Sequence, residues 1–121
     1  MGWNIESDRP VYLQLVEQFK RKIVAGEYEA GNRMPSVREL AADAAVNPNT
    51  MQKALAELER TGLMYTQRTS GRFITEDREL IDSLKKEIAL EQIDTFIRNM
   101  AAIGIDKQEI LRLFQARIEE M

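Results

Sequence analysis

Residues 34–58, MPSVRELAADAAVNPNTMQKALAEL, decide the fold. Ser36 with Glu39 three positions on is a capping box, in which each side chain satisfies a backbone N–H that the first helical turn leaves free. Pro35 prevents helical growth from behind. The spacing predicts a helix from Val37 to about Ala44, with Val37, Leu40 and Ala41 facing inward and small alanines that let a second helix cross closely. Asn47 caps that second helix and Pro48 starts it. Met51, Ala54, Leu55 and Leu58 recur at helical steps as its buried face, and Gly62 ends it. Two short helices joined by a tight turn, the second opening on small polar groups, are suited to placing one helix end in a DNA groove.

Outward from this pair, Leu63–Gln67 and Arg72–Thr75 are short runs enriched in Thr, Tyr, Phe and Ile around Arg68-Thr69-Ser70-Gly71, a hairpin pattern. Upstream, Pro10 suits a first helical position, and Tyr12, Leu15, Val16, Phe19 and Ile23 make one apolar helical face. Gln14, Glu17, Gln18, Lys20, Arg21 and Lys22 are assigned to the rest of that helix, and Gly26 stops it. The connection GEYEAGNRM is rich in turn residues, with a short strand expected near Arg33 and Met34. The fold class expected is mainly α with a small β-hairpin, a winged helix-turn-helix followed by a C-terminal helical extension. Residues 1–75 form the winged domain and 76–121 the tail.

Composition narrows the function. The chain has 121 residues, 44% of them apolar and 31% charged, enough for one small core plus an appendage. No apolar run is long enough to span a membrane. The start, MGWNIESDRP, has neither a basic end nor an apolar stretch, so no secretory signal is expected, and the expected location is cytoplasmic. Cys and His are both absent. That removes disulfides, cysteine nucleophiles, histidine bases and the usual zinc ligands, so no catalytic residue, metal or cofactor is expected. The net charge of −3 is uneven: residues 1–75 carry 10 basic and 9 acidic side chains, and residues 76–121 carry 7 and 11. The acidic excess lies in the tail, and phosphate binding depends on the local face instead of the whole-chain balance.

A helix that reads DNA needs a first turn free of bulk and rich in hydrogen-bonding groups. Asn47, Asn49, Thr50, Gln52 and Lys53 supply that surface opposite Met51, Leu55 and Leu58. Asn and Gln can pair with adenine through two hydrogen bonds, and Lys53 can reach phosphate or guanine. Arg38, on the exposed side of the preceding helix, can grip guanine or phosphate. In the hairpin, Gly71 permits a turn that other residues resist, and Arg68 and Arg72, which flank it, are the candidate wing contacts.

These residues resemble the GntR family of bacterial transcription regulators. The matching pattern is Pro10-Val11-Tyr12-x-Gln14, then Gly26-x-Tyr28-x-x-Gly31-x-x-Met34-Pro35-Ser36-x-Arg38-x-Leu40-Ala41, then Val46-Asn47-Pro48-Asn49-Thr50-Met51-x-Lys53-Ala54-Leu55-x-x-Leu58-x-x-x-Gly62-Leu63. The short tail resembles the YtrA-like subfamily, whose tails serve dimerisation. The resemblance implies a dimeric repressor on a double-stranded, pseudo-palindromic operator of its own or an adjacent operon, with transporter or envelope genes as the implied targets. It carries contact roles to Arg38, Asn47, Asn49, Thr50, Lys53, Arg68, Ser70 and Gly71. Thr69 stands where the family wing has glycine, Gln52 where some relatives have arginine, and Ala45 at a turn position where glycine is common.

The tail is read as two helices. From Glu76 to Met100 no Gly or Pro interrupts, and at 1.5 Å per residue this helix is about 37 Å long. Gly104 ends it, and Asp106 with Glu109 caps a last helix marked by Ile110, Leu111, Phe114 and Ile118. Leu84, Ile88, Ile93, Phe96, Ile97, Met100, Ile110 and Phe114 are the candidate homodimer contacts. The sequence names no small-molecule effector. The competing reading is a protein-interaction module on a winged-helix scaffold without sequence-specific DNA binding.

Overall fold

Local signals set the helix ends in the computed structural model, which describes residues 2–121. Helix α1 (Val11–Val24) begins behind Pro10, and α2 (Val37–Ala44) begins at the Ser36–Glu39 capping box with both of its hydrogen bonds formed. Helix α3 (Pro48–Arg60) starts at Asn47, whose side chain accepts from the Asn49 N–H at 2.8 Å. Strands β1 (Met64–Gln67) and β2 (Gly71–Ile74) form an antiparallel hairpin with Met64 opposite Ile74 and Gln67 opposite Gly71. Helix α4 (Arg78–Ala102) and helix α5 (Lys107–Glu120) complete the chain. Helix α4 starts two residues later than the sequence suggests, because Asp77 is its cap, accepting from the Leu80 N–H.

The chain divides into two compact units, residues 1–85 and 86–121. In the first, Leu15, Phe19 and Ile23 of α1, Leu40 and Ala41 of α2, and Met51, Ala54, Leu55 and Leu58 of α3 form the core, closed by Leu63, Met64 and Ile74 of the hairpin region. No strand forms at Arg33 and Met34. A single antiparallel bridge joins Arg33 to Phe73, and Met34 N–H donates to Arg72 O at 2.8 Å. The segment is held by three backbone bonds to β2, too irregularly placed to make a strand.

Two residues assigned to the outer face of α1 are buried instead, Gln14 at 1% exposure and Lys22 at 3%. The cause is an N-terminal arm that the sequence pattern did not reveal. Gln14 donates to Glu6 O at 2.7 Å and Arg9 O at 2.9 Å, and accepts from the Glu6 N–H at 2.7 Å. Gln18 bonds Asn4 N–H and O in the same reciprocal way. Four residues along a helix rise about 6 Å, nearly the span of two extended residues, so glutamines at i and i+4 match the backbone at Asn4 and Glu6. Trp3 then packs edge-on against Phe19 at 4.9 Å, with the Lys22 ammonium 4.7 Å from its ring centre. Burial of these polar groups is offset by hydrogen bonds and a charge–aromatic contact.

The turn between α2 and α3 contains the one non-glycine residue with positive φ among the described residues, Ala45 at φ 56° and ψ 47°. Its N–H and that of Val46 bond back to Ala42 O and Ala41 O, which fixes this left-handed stop. An L side chain pays about 1–2 kcal/mol there, while glycine loses about 0.4–1 kcal/mol more entropy on folding. Ala45→Gly is therefore expected to stabilise the protein by about 0.5–1 kcal/mol, read as a melting temperature raised by a few degrees. A lowered melting temperature would contradict this account of the turn.

The second unit is a helical pair. Phe96 and Phe114 meet at 5.6 Å between ring centres, Ile110 is buried, and Asp106 caps α5 by accepting from the Glu109 N–H at 2.9 Å. Taken over its whole length, α4 has no single apolar face: the helical stripe expected of Leu80, Ile81, Leu84, Ile88, Ile93, Phe96, Ile97 and Met100 breaks between Ile88 and Ile93, where the apolar positions fall out of step. Among the described residues, no helix is long and apolar enough to cross a membrane.

Candidate nucleic-acid interface

Helix α3 is amphipathic in the sense the function requires. Met51, Ala54, Leu55 and Leu58 are fully buried, which turns Asn49, Gln52 and Lys53 outward, with Thr50 half-buried and the cap Asn47 exposed. Four of the five predicted groups on this turn therefore stand clear of the core. The backbone bond from Asn49 to the Asn47 side chain leaves the amide N–H₂ of Asn47 to face outward partners. Lys53 reaches back to α1, its ammonium 3.9 Å from the centre of the Tyr12 ring. That contact steadies the charge at the junction of α1 and α3 without neutralising it.

Arg38 is exposed on α2 and makes no ion pair among the described residues. Its neighbour Glu39 is occupied by the Ser36 N–H at 3.2 Å. The guanidinium is thus available to an outside anion.

The wing is tied to the recognition helix by one carboxylate. Glu59, near the end of α3, accepts from the Thr66 hydroxyl and from Arg72 Nε, the latter at 2.9 Å. Partial burial disfavours its charge, but the hydrogen bonds from Thr66 and Arg72 and the Arg72 charge outweigh that and hold the carboxyl below its usual value. The pair is therefore present at neutral pH and is lost only as pH falls through that lowered value. Arg72, predicted as a DNA contact, is committed to this clasp and mostly covered. Arg68 and Ser70 are exposed in the loop, and the Ser70 N–H donates to Gln67 O at 3.2 Å. Gly71 has φ +105°, a shape that L side chains rarely adopt, whereas Thr69 has none of the positive φ that would demand glycine. Tyr12 and Glu59 were missed by sequence reasoning as supports of the site, since each acts through a partner at least seven positions away.

The predicted dimer contacts fall into separate groups. Leu84 is buried within the first unit and Ile110 within the second, Ile88, Ile97 and Met100 are half-buried, and Ile93, Phe96 and Phe114 are exposed. Leu90, Ile103, Leu111, Leu113 and Ile118 are exposed as well, and sequence reasoning did not select them. Ile93, Phe96, Ile97, Lys107, Leu111 and Phe114 line an apolar groove of about 220 Å³ in the second unit.

Residues 11–74 match the family model of bacterial regulatory proteins, gntR family. The chain belongs to the GntR family. It is 40% identical over 111 residues to the HTH-type transcriptional regulator YhcF of Bacillus subtilis, covering 92% of each chain. The HTH-type transcriptional repressor YtrA of the same organism is 35% identical over 86% of this chain and 81% of its own. A GntR family transcriptional regulator from Listeria monocytogenes superposes with a TM-score of 0.84 at 41% identity, covering 93% of this chain and 98% of that one. The mainly helical winged-helix fold is that of the family, and YtrA-like regulators are among its relatives. As a GntR member this chain is a DNA-binding transcription regulator, and its relatives are regulators, not enzymes.

Proposed function

We propose that this GntR regulator is a sequence-specific repressor that binds a pseudo-palindromic operator as a homodimer in the cytoplasm, controlling its own or an adjacent operon. The observation that carries the reading is the first turn of α3, with Asn47, Asn49, Gln52 and Lys53 exposed over a fully buried Met51–Leu55–Leu58 face. Asn49, Thr50 and Gln52 are assigned to base edges. Arg38 and Lys53 reach guanine or phosphate, and Arg68, Ser70 and Gly71 form the wing contact. Repression is supported by the likeness to a relative named as a repressor.

The tail, residues 76–121, is assigned to dimerisation, because Leu90, Ile93 and Phe96 of α4 and Leu111, Phe114 and Ile118 of α5 leave large apolar side chains exposed. A two-fold pair of heads would then read half-sites one helical turn apart, about 34–36 Å, or a multiple of it. A gel shift with the DNA upstream of its own gene tests the reading. A shift that survives excess unrelated duplex is expected. Binding that does not distinguish the upstream region from a scrambled duplex would favour an interaction module and overturn the operator assignment.

A further inference from the structure

One basic group near the wing belongs neither to the helix pair nor to the hairpin. Arg33 precedes the Ser36 cap by three residues and lies against β2, fixed there by its bridge to Phe73, by Met34 N–H to Arg72 O at 2.8 Å, and by Ile74 N–H to Asn32 O at 2.9 Å. From that anchor its side chain follows β2 toward the hairpin loop. A Cβ added to Gly71 would come within 3.2 Å of Arg33 Nε and 3.4 Å of Nη2. The guanidinium thus occupies the space that the missing side chain of Gly71 leaves open, beside Arg68 to Ser70.

The charge at this place is uncommitted. Arg33 is exposed, and among the described residues no carboxylate bonds it, whereas Arg72 is paired with Glu59. Beside it lies an open groove of about 560 Å³, lined by Arg33, Ser36, Glu39, Thr66, Gly71 and Arg72. The carboxylate facing this groove, Glu39, is held by the Ser36 N–H in the capping box. A planar guanidinium carried on a backbone fixed to the wing suits a tetrahedral anion through two parallel N–H donors.

We propose that Arg33 is a further DNA-contacting residue of the wing, its guanidinium seated over Gly71 to bind a backbone phosphodiester next to the bases that α3 reads. The inference rests on the operator-binding reading above. It also gives Gly71 a second role: a side chain there would crowd the arginine as well as strain the turn.

Full-length protein carrying Arg33→Ala or Arg33→Lys tests it, by fluorescence anisotropy with the shifted upstream duplex and with a scrambled one between about 50 and 200 mM salt. Arg33→Ala is expected to weaken both duplexes by the same factor, about five- to tenfold at the low-salt end. It should also reduce the slope of log affinity against log salt by about 1 per protomer. Arg33→Lys should bind between Arg33→Ala and wild type, since lysine keeps the charge and the salt slope but not the two parallel donors. An unchanged melting temperature confirms that the exposed site can be altered without loss of fold. Wild-type binding by Arg33→Ala, or a loss confined to the upstream duplex, overturns the phosphate contact. If Arg38→Ala with Lys53→Ala also binds as wild type, the operator reading itself has failed. If that pair loses the operator while Arg33→Ala keeps it, only the Arg33 inference has failed.

Discussion

Leu111→Glu combined with Ile118→Glu is expected to convert the protein to monomers in sedimentation and to weaken operator binding about a hundredfold or more. Both side chains lie on α5, at 67% and 53% exposure, seven residues apart and so on one face with Phe114 between them. Glutamate is a good helix former, and neither position is in the buried part of the helical pair, so helix content should be retained. The effect falls on association. In a two-fold interface each change appears twice, which removes four apolar side chains worth about 1.5–3 kcal/mol each. It also buries carboxylates that find no partner, at a cost of several kcal/mol. The dimer would then lose more than about 6 kcal/mol, a dissociation constant raised over about ten-thousandfold. Operator affinity falls because two linked heads gain about 10²–10⁴ over one head acting alone. If the double variant remains a dimer, the α5 face is not the interface, and the tail assignment must move to the exposed residues of α4, Leu90 and Ile93.

The parts of the fold legible in the sequence are those specified by neighbours in the chain. Ser36 and Glu39, Asn47 and Pro48, and Asp106 with Glu109 act within a few residues, and the helices start where these caps place them. Ala45 was marked only through the family resemblance, as a turn position where glycine is common, and its backbone is left-handed. What could not be read depends on partners far along the chain. Gln14 and Lys22 carry the polarity of a solvated helix face, and it is the arm at Trp3 to Arg9, with Glu27 pairing Lys22, that makes them interior residues. Glu59 reads as one more surface acid until Thr66 and Arg72 fold back to it. Arg72 was selected for its charge at the hairpin, and charge alone could not reveal that it also clasps Glu59. The same limit applied to the tail, where apolar spacing marked helices but not which apolar groups stay exposed, as Leu111 and Ile118 do and Ile110 does not.

The larger loss of sequence-specific binding without loss of dimerisation should come from Arg38→Ala with Lys53→Ala. Neither side chain holds the fold together: Arg38 makes no ion pair among the described residues, and Lys53 contributes one charge–aromatic contact to Tyr12 at 3.9 Å. Sedimentation and melting should therefore stay close to wild type. A base-reading contact is worth about 1–3 kcal/mol, so the pair removes about 2–6 kcal/mol per half-site, at least about thirtyfold in affinity. The two residues separate by salt dependence. If Lys53 binds phosphate, the single Lys53→Ala change weakens the upstream and scrambled duplexes alike and lowers the salt slope by about 1. If Arg38 reads guanine, the single Arg38→Ala change removes discrimination at one base position and leaves the salt slope nearly intact. Asn49→Ala supplies the internal comparison, since an amide lost from an adenine contact alters preference without altering charge. Unchanged operator affinity in the Arg38–Lys53 pair would mean that the exposed turn of α3 is not the reading surface. The apolar packing of Met51, Leu55 and Leu58 would then account for the helix without any role in recognition.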